Sequence, residues 1–167
     1  KELCQRDDID LVYICTPWQT HVEMAVYAME HGKHVALEVP AAMNIAECWR
    51  LVDTSEKTRC HCMMLENCCY DFFEMTALNM AQHGLFGEIA YAEAEYLHAL
   101  DPNEFSPTYY PEGHWRTYQP AIRYLTHELG PLLYVMNDRV VSVTCMEADV
   151  HYDPYTPERK ETGVALF

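Results

Sequence analysis

Asp10-Leu11-Val12-Tyr13-Ile14-Cys15-Thr16-Pro17 is a short apolar run that stops at a chain-turning pair, and it reads as a buried strand of a parallel sheet. Beyond it, Val22, Ala25, Val26 and Met29 recur at helical spacing, and His31-Gly32 closes that helix. Val35-Ala36-Leu37 is the next strand, stopped by Pro40. Asn44 then caps a second helix whose apolar face is Ile45, Cys48, Trp49 and Val52. Cys62-Met63-Met64-Leu65 is a third strand. Asp71 opens a third helix, with Glu74 completing a capping box and Gly84 as the stop. Strand and helix alternating over short connections predict an α/β fold, a doubly wound parallel sheet.

After Gly87 the pattern changes. Glu88 to His98 alternates strictly, with Ile89, Tyr91, Glu93, Glu95 and Leu97 on one face, as a long strand of an open sheet would. Asp101 to Gln119 is rich in Pro, Tyr and polar residues and reads as a long loop, a length usually kept for function. Ile122 to Met136 reads as helical, with Leu125, Leu129, Leu132 and Met136 aligned and Pro131 placed to kink it. Val140–Val150 and Gly163–Phe167 read as further strands. The expected organisation is an α/β part over residues 1–86 and an α+β open-sheet part over residues 87–167.

Composition narrows the partners. Eleven Lys+Arg against 26 Asp+Glu give a formal net charge of -15, which repels phosphate backbones, so nucleic acid is not expected. No run of about 18 apolar residues occurs, so no membrane segment is expected in this chain. Eight cysteines lie mostly inside apolar runs, as buried thiols do, rather than in a disulfide framework. Cys60-His61-Cys62 suggests metal ligands, but in a strand His61 points away from its neighbours, and no second pair stands at zinc-site spacing. No metal is expected.

In an open α/β sheet, ligands bind at the carboxyl ends of the strands. Those ends here are Cys15 to Trp18, Glu38-Val39-Pro40 and Glu66-Asn67; the plainer reading is a packed Trp18 and a solvated Glu38. His127 is the best general-base candidate among nine histidines, with Tyr124 three residues earlier on a helix face. An isolated histidine is more often structural or simply exposed. Tyr96 shares its strand face with Ala90, Ala92 and Ala94, which would aim it at a pocket or pack it on a helix. Glu93 and Glu95 would stand about 7 Å apart on a strand, within reach of acid/base work. A solvated sheet face is the preferred account of that pair, because nothing splits their environments.

The same residues carry a resemblance. Gln5 to Ile14, Thr16-Pro17-Trp18, Met24 to Val35, Glu38 to Ala42 and Met63 to Phe73 closely resemble glycoside hydrolase family 109. That family lies within the glucose-fructose oxidoreductase and inositol dehydrogenase (Gfo/Idh/MocA) superfamily and includes α-N-acetylgalactosaminidases. The likeness is nearly continuous from residue 4 to about residue 98 and returns at Tyr124 to His127 and Leu129-Gly130-Pro131. Superfamily dehydrogenases usually end the second strand in Glu-Lys-Pro, with the Lys moving a hydroxyl proton. Glu38-Val39-Pro40 lacks that Lys and so favours the glycosidase branch.

The resemblance implies the C-terminal half of a Rossmann-type sheet followed by the start of a substrate domain. It implies NAD as cofactor, lined by Trp18, Gln19, Thr20, His21, Glu38, Val39 and Asn67. It implies a sugar or glycoside met by Tyr96, Arg116, Tyr124, Thr126 and His127, with His127, Tyr96 and Tyr124 catalytic. Gln19 and Thr20 depart from the family's usual residues, and Leu125 replaces a common Pro. The implied chemistry is hydride transfer from C3 of the sugar, loss of the acidified C2 proton with expulsion of the C1 group, water addition and hydride return. An NAD(P)-dependent sugar or polyol dehydrogenase is the alternative, and a noncatalytic sugar-binding relic a third reading. Self-association through the C-terminal sheet is left open.

No Gly-x-Gly-x-x-Gly turn occurs in the sequence, and no ribose-binding acid follows one. The chain is therefore expected to be an internal fragment that neither holds NAD tightly nor turns over alone.

Overall fold

The computed structural model describes residues 1–97, 121–149 and 160–166. These fall into two compact units, Lys1–Glu66 and Asn67–Phe167.

The first unit begins with a short 3-10 turn, Glu2–Gln5, followed by β1 (Leu11–Ile14), α1 (His21–Glu30), β2 (His34–Leu37), α2 (Ile45–Thr58) and β3 (Cys62–Met64). The strands form one parallel sheet in the order β1-β2-β3, with Leu11 opposite His34 and Val35 opposite Cys62. The α/β reading of the apolar runs holds. Gly32 ends α1 at φ 76°, a left-handed conformation that L side chains avoid. The Asn44 side chain accepts from the Glu47 N–H at 2.9 Å, while Glu47 Oε2 accepts from the Met43 N–H at 2.7 Å. These two contacts satisfy backbone donors that the first turn of α2 cannot pair for itself.

One face of the sheet makes the core. Ile14, Val35 and Leu37 pack with Val22, Ala25, Ala28 and Met29 of α1 and Leu51 of α2. The opposite face carries Leu11 and Tyr13, each 55% exposed, so β1 is buried on one side only and not on both as its apolar run suggested. The expected apolar face of α2 is also corrected. Ile45, Cys48, Trp49 and Val52 are all exposed, whereas Leu51 is buried and Glu47, Thr54, Ser55 and Thr58 are half-buried. Positions 47, 51, 54, 55 and 58 share one helix face, and this more polar face meets its neighbours.

The second unit contains a 3-10 turn (Asn67–Tyr70), α3 (Phe72–Gln82), a further 3-10 turn (Ala121–Tyr124), α4 (Thr126–Met136), β4 (Thr144–Asp149) and β5 (Lys160–Leu166). Helix α3 packs with α4 and with the Asn67–Tyr70 turn, so the expected boundary at 86/87 falls inside this unit. The expected capping box does not form: Asp71 occupies the cap position but makes no side-chain cap bond. Residues 88–97 carry no strand in the described residues, so the predicted long strand is corrected as well. Alternation alone does not make a strand, and among the described residues none pairs with this segment in a ladder. Strands β4 and β5 pair antiparallel, with an irregularity at Ala148/Asp149. The long loop predicted over 101–119, with Arg116 in it, lies outside the described residues.

Candidate functional site

The carboxyl ends of β1 and β2 lead into loops wired by their own side chains. After β1, Pro17 enters a 3-10 turn, Trp18–Thr20, that runs directly into α1. The Thr20 hydroxyl donates to the Pro17 carbonyl at 2.7 Å and lies 2.7 Å from the Thr16 hydroxyl, which closes the turn on itself. Trp18 and His21 are buried, Thr20 is half-buried, and Gln19 is exposed. His21 has no accessible surface, and its two ring nitrogens face the main-chain carbonyls of Thr16 and Pro40. At the end of β2, Glu38 is half-buried while Val39 is buried, and the Val39-Pro40 peptide is cis. Among the residues assigned here to cofactor, Gln19 and Glu38 therefore offer accessible polar groups, whereas His21 acts from beneath the loops.

In the second unit, Asn67 is exposed and its amide donates toward Cys68 Sγ at 3.8 Å. The same unit brings Tyr96 to a pair, Tyr124 and His127, that lies nearly thirty residues further along the chain. His127 lies in the first turn of α4 and is 6% exposed. Its ring meets Tyr124 edge-on at 4.3 Å between centroids and Tyr96 at 5.0 Å, and the two phenols are 5.7 Å apart. Pro131 has no N–H to give the His127 carbonyl four residues earlier, so α4 departs there from a regular ladder. Thr126 precedes His127, and its hydroxyl oxygen is buried with no hydrogen-bond partner among the described residues. A buried imidazole bounded by two phenols is suited to accepting and passing on a proton while excluding bulk water.

Other candidates are not gathered in this way. Glu93 and Glu95 are both exposed, and Glu93 takes a hydrogen bond from the Tyr91 hydroxyl at 3.1 Å, which pushes the Tyr91 phenol up. Cys60 is buried and its thiol donates toward the Met29 carbonyl at 3.6 Å, while His61 is exposed. Burial pushes the Cys62 thiol up, so it stays protonated and inert. No described helix is long and apolar enough to cross a membrane. The bond network that makes His21 a link between loops was missed in the sequence. Its only sequence signal was position, directly after a strand-end turn.

Residues 1–66 match the family model described as oxidoreductase family, NAD-binding Rossmann fold. Over this segment the chain is similar to the Gfo/Idh/MocA family. Relatives extend the likeness beyond it. A Bacteroides fragilis protein named alpha-N-acetylgalactosaminidase is 57% identical over 146 residues, covering 82% of this chain and 34% of that protein. A glycosyl hydrolase family 109 protein of Bacteroides thetaiotaomicron is 54% identical over 171 residues, covering 98% of this chain and 36% of that protein. The chain spans about a third of the length of these curated relatives. Among solved structures, the myo-inositol 2-dehydrogenase of Lactobacillus plantarum has a TM-score of 0.79 at 18% identity, over 98% of this chain and 48% of that one. That likeness is one of fold, and it agrees with a Gfo/Idh/MocA architecture.

Proposed function

We propose that the full-length protein is an NAD-dependent glycoside hydrolase acting on a glycoside such as an α-N-acetylgalactosaminide. The observation that carries this reading is the buried His127 ring flanked by Tyr124 and Tyr96. Relatives more than half identical and named as glycosidases support it over net dehydrogenation. So does Val39, which stands where superfamily dehydrogenases carry a proton-moving Lys.

The strand ends fit a nicotinamide riboside. They offer accessible polar groups at Gln19 and Glu38 on a turn already fixed by Thr16 and Thr20. They do not include a glycine turn for the pyrophosphate, which this sequence lacks. When bound, the cofactor supplies reversible hydride exchange with C3 of the sugar. The chain's own residues do the rest. His127 takes the C2 proton that a C3 carbonyl makes acidic. Tyr96 and Tyr124 orient the sugar and carry protons to and from its hydroxyls. Thr126 and Arg116 complete the sugar contacts. The bond to the C1 substituent breaks as the C2 proton leaves, and water then adds across C1 and C2. Because the bound cofactor would give back to C3 the hydride it took, the cycle would balance without net redox change.

The test uses the complete reading frame, a panel of nitrophenyl glycosides, and simultaneous absorbance of nitrophenol and NADH. Nitrophenol release without NADH accumulation, abolished in His127→Ala, is expected. NADH accumulating on free sugars with no nitrophenol released would establish the dehydrogenase instead.

A further inference from the structure

The His21 ring is a contact that the reaction itself does not use. It is the first residue of α1 and has no exposed surface. Nδ1 lies 2.9 Å from the Pro40 carbonyl oxygen, and Nε2 lies 2.8 Å from the Thr16 carbonyl oxygen. Carbonyl oxygens only accept. A neutral imidazole has one N–H and one lone pair, so it satisfies one carbonyl and sets its lone pair against the other. In either tautomer the ring satisfies one carbonyl and stays wedged against the other, between two main-chain oxygens of different loops.

Thr16 belongs to the turn after β1, and Pro40 to the turn after β2. These are the two loops that carry Trp18 and Gln19 on one side and Glu38 and Val39 on the other. We propose that His21 is a positioning residue, a buried ring set between two loop carbonyls that braces the two strand-end loops at fixed separation and thereby shapes the dinucleotide site. The brace joins loops 24 residues apart in sequence through a single side chain, with Thr16 to Pro40 as its ends. The Thr16–Thr20–Pro17 hydroxyl chain holds one of those loops independently, so the ring links an already ordered turn to the second strand end. The cofactor role rests on the NAD reading above, while the brace can be measured without cofactor.

The experiment combines three measurements on the full-length protein. These are through-bond 15N spectra of the labelled histidine rings, hydrogen exchange over residues 16–20 and 39–42, and NAD titration. A His21 ring N–H is expected to exchange slowly. His21→Phe keeps a ring but no donor; it should raise exchange in both loops together and weaken NAD binding by on the order of 10- to 100-fold. His21→Gln, which keeps amide donors, should recover part of that loss. The native ring signal decides the brace even where the Phe variant fails to fold. A His21 ring N–H that exchanges as fast as a solvent-exposed one, or exchange changed in a single loop, overturns the brace. NAD bound equally by wild type and a folded His21→Phe overturns the positioning role. A slowly exchanging His21 ring in a protein that binds no NAD overturns the cofactor reading and leaves the brace standing.

Discussion

The strand-end loops of the first unit and the aromatic cluster of the second are held together by different forces. At the strand ends, His21, Thr16 and Thr20 form directional hydrogen bonds of 2.7–2.9 Å with one another or with main-chain oxygens. Around His127, the contacts between the three rings are edge-on and tilted, with centroids 4.3–5.7 Å apart. Hydrogen bonds fix distance and direction, as a surface that orients a flat nicotinamide requires. Ring packing fixes burial and brings proton-carrying groups side by side. On the proposed function one region holds and the other acts, and substitutions should separate the two.

The largest effect is expected at the acting region. His127→Ala should lower kcat by about 10²- to 10⁴-fold, with a smaller change in substrate KM. A fall in binding with kcat preserved would place His127 among the holding residues and break the comparison. The next effect belongs to the frame under the strand ends. Leu37 is fully buried on the central strand, and Leu37→Ala should cost about 2–5 kcal/mol of stability in a denaturant titration. A cost below about 1 kcal/mol would mean that the core does not carry those loops.

The smallest effect sharpens the contrast with the surface. Arg50 donates to Glu23 at 2.7 Å and holds its carboxyl below the ordinary range. The native-state carboxyl is thus the stronger acid, and the pair's contribution is present above the unfolded carboxylate range. It is lost as pH falls through the depressed native value. Glu23→Gln should lower stability only slightly at neutral pH, because both groups are exposed, and so flatten the acid side of a stability–pH curve slightly. A large loss at neutral pH would contradict that.

Most of the first unit was legible in the sequence because its signals are local. Apolar runs ending at Pro17 and Pro40, and a glycine at the left-handed position after α1, locate elements without reference to neighbours. The buried face of α2 was not legible. Its more apolar stripe, with Ile45 77% exposed, turns outward, while Leu51, Ser55 and Thr58 meet the rest of the unit. Periodicity reports that a stripe exists, not which one packs. The segment at 88–97 misled for a related reason, since alternation marks a strand only where a partner completes the ladder.

At the site, Tyr124 and His127 could be joined from their spacing of three residues, but the approach of Tyr96 is a tertiary fact. Trp18 and Val39 were placed correctly at strand ends; a packed Trp18 was the plainer reading of the sequence, whereas the burial of Val39 was not visible in the chain. The role of His21 depends on two carbonyls that sequence cannot position.

The measurement that bears most directly on the central claim follows the fate of the C2 proton. The full-length protein would hydrolyse its glycoside in D2O, and the released sugar would be examined by NMR. Deuterium at C2 of the product, with hydrogen retained at C3, is the predicted result, because C2 loses its proton to solvent while the C3 hydride returns. A product that keeps its original hydrogen at C2 would contradict elimination and addition. It would point to direct displacement at C1.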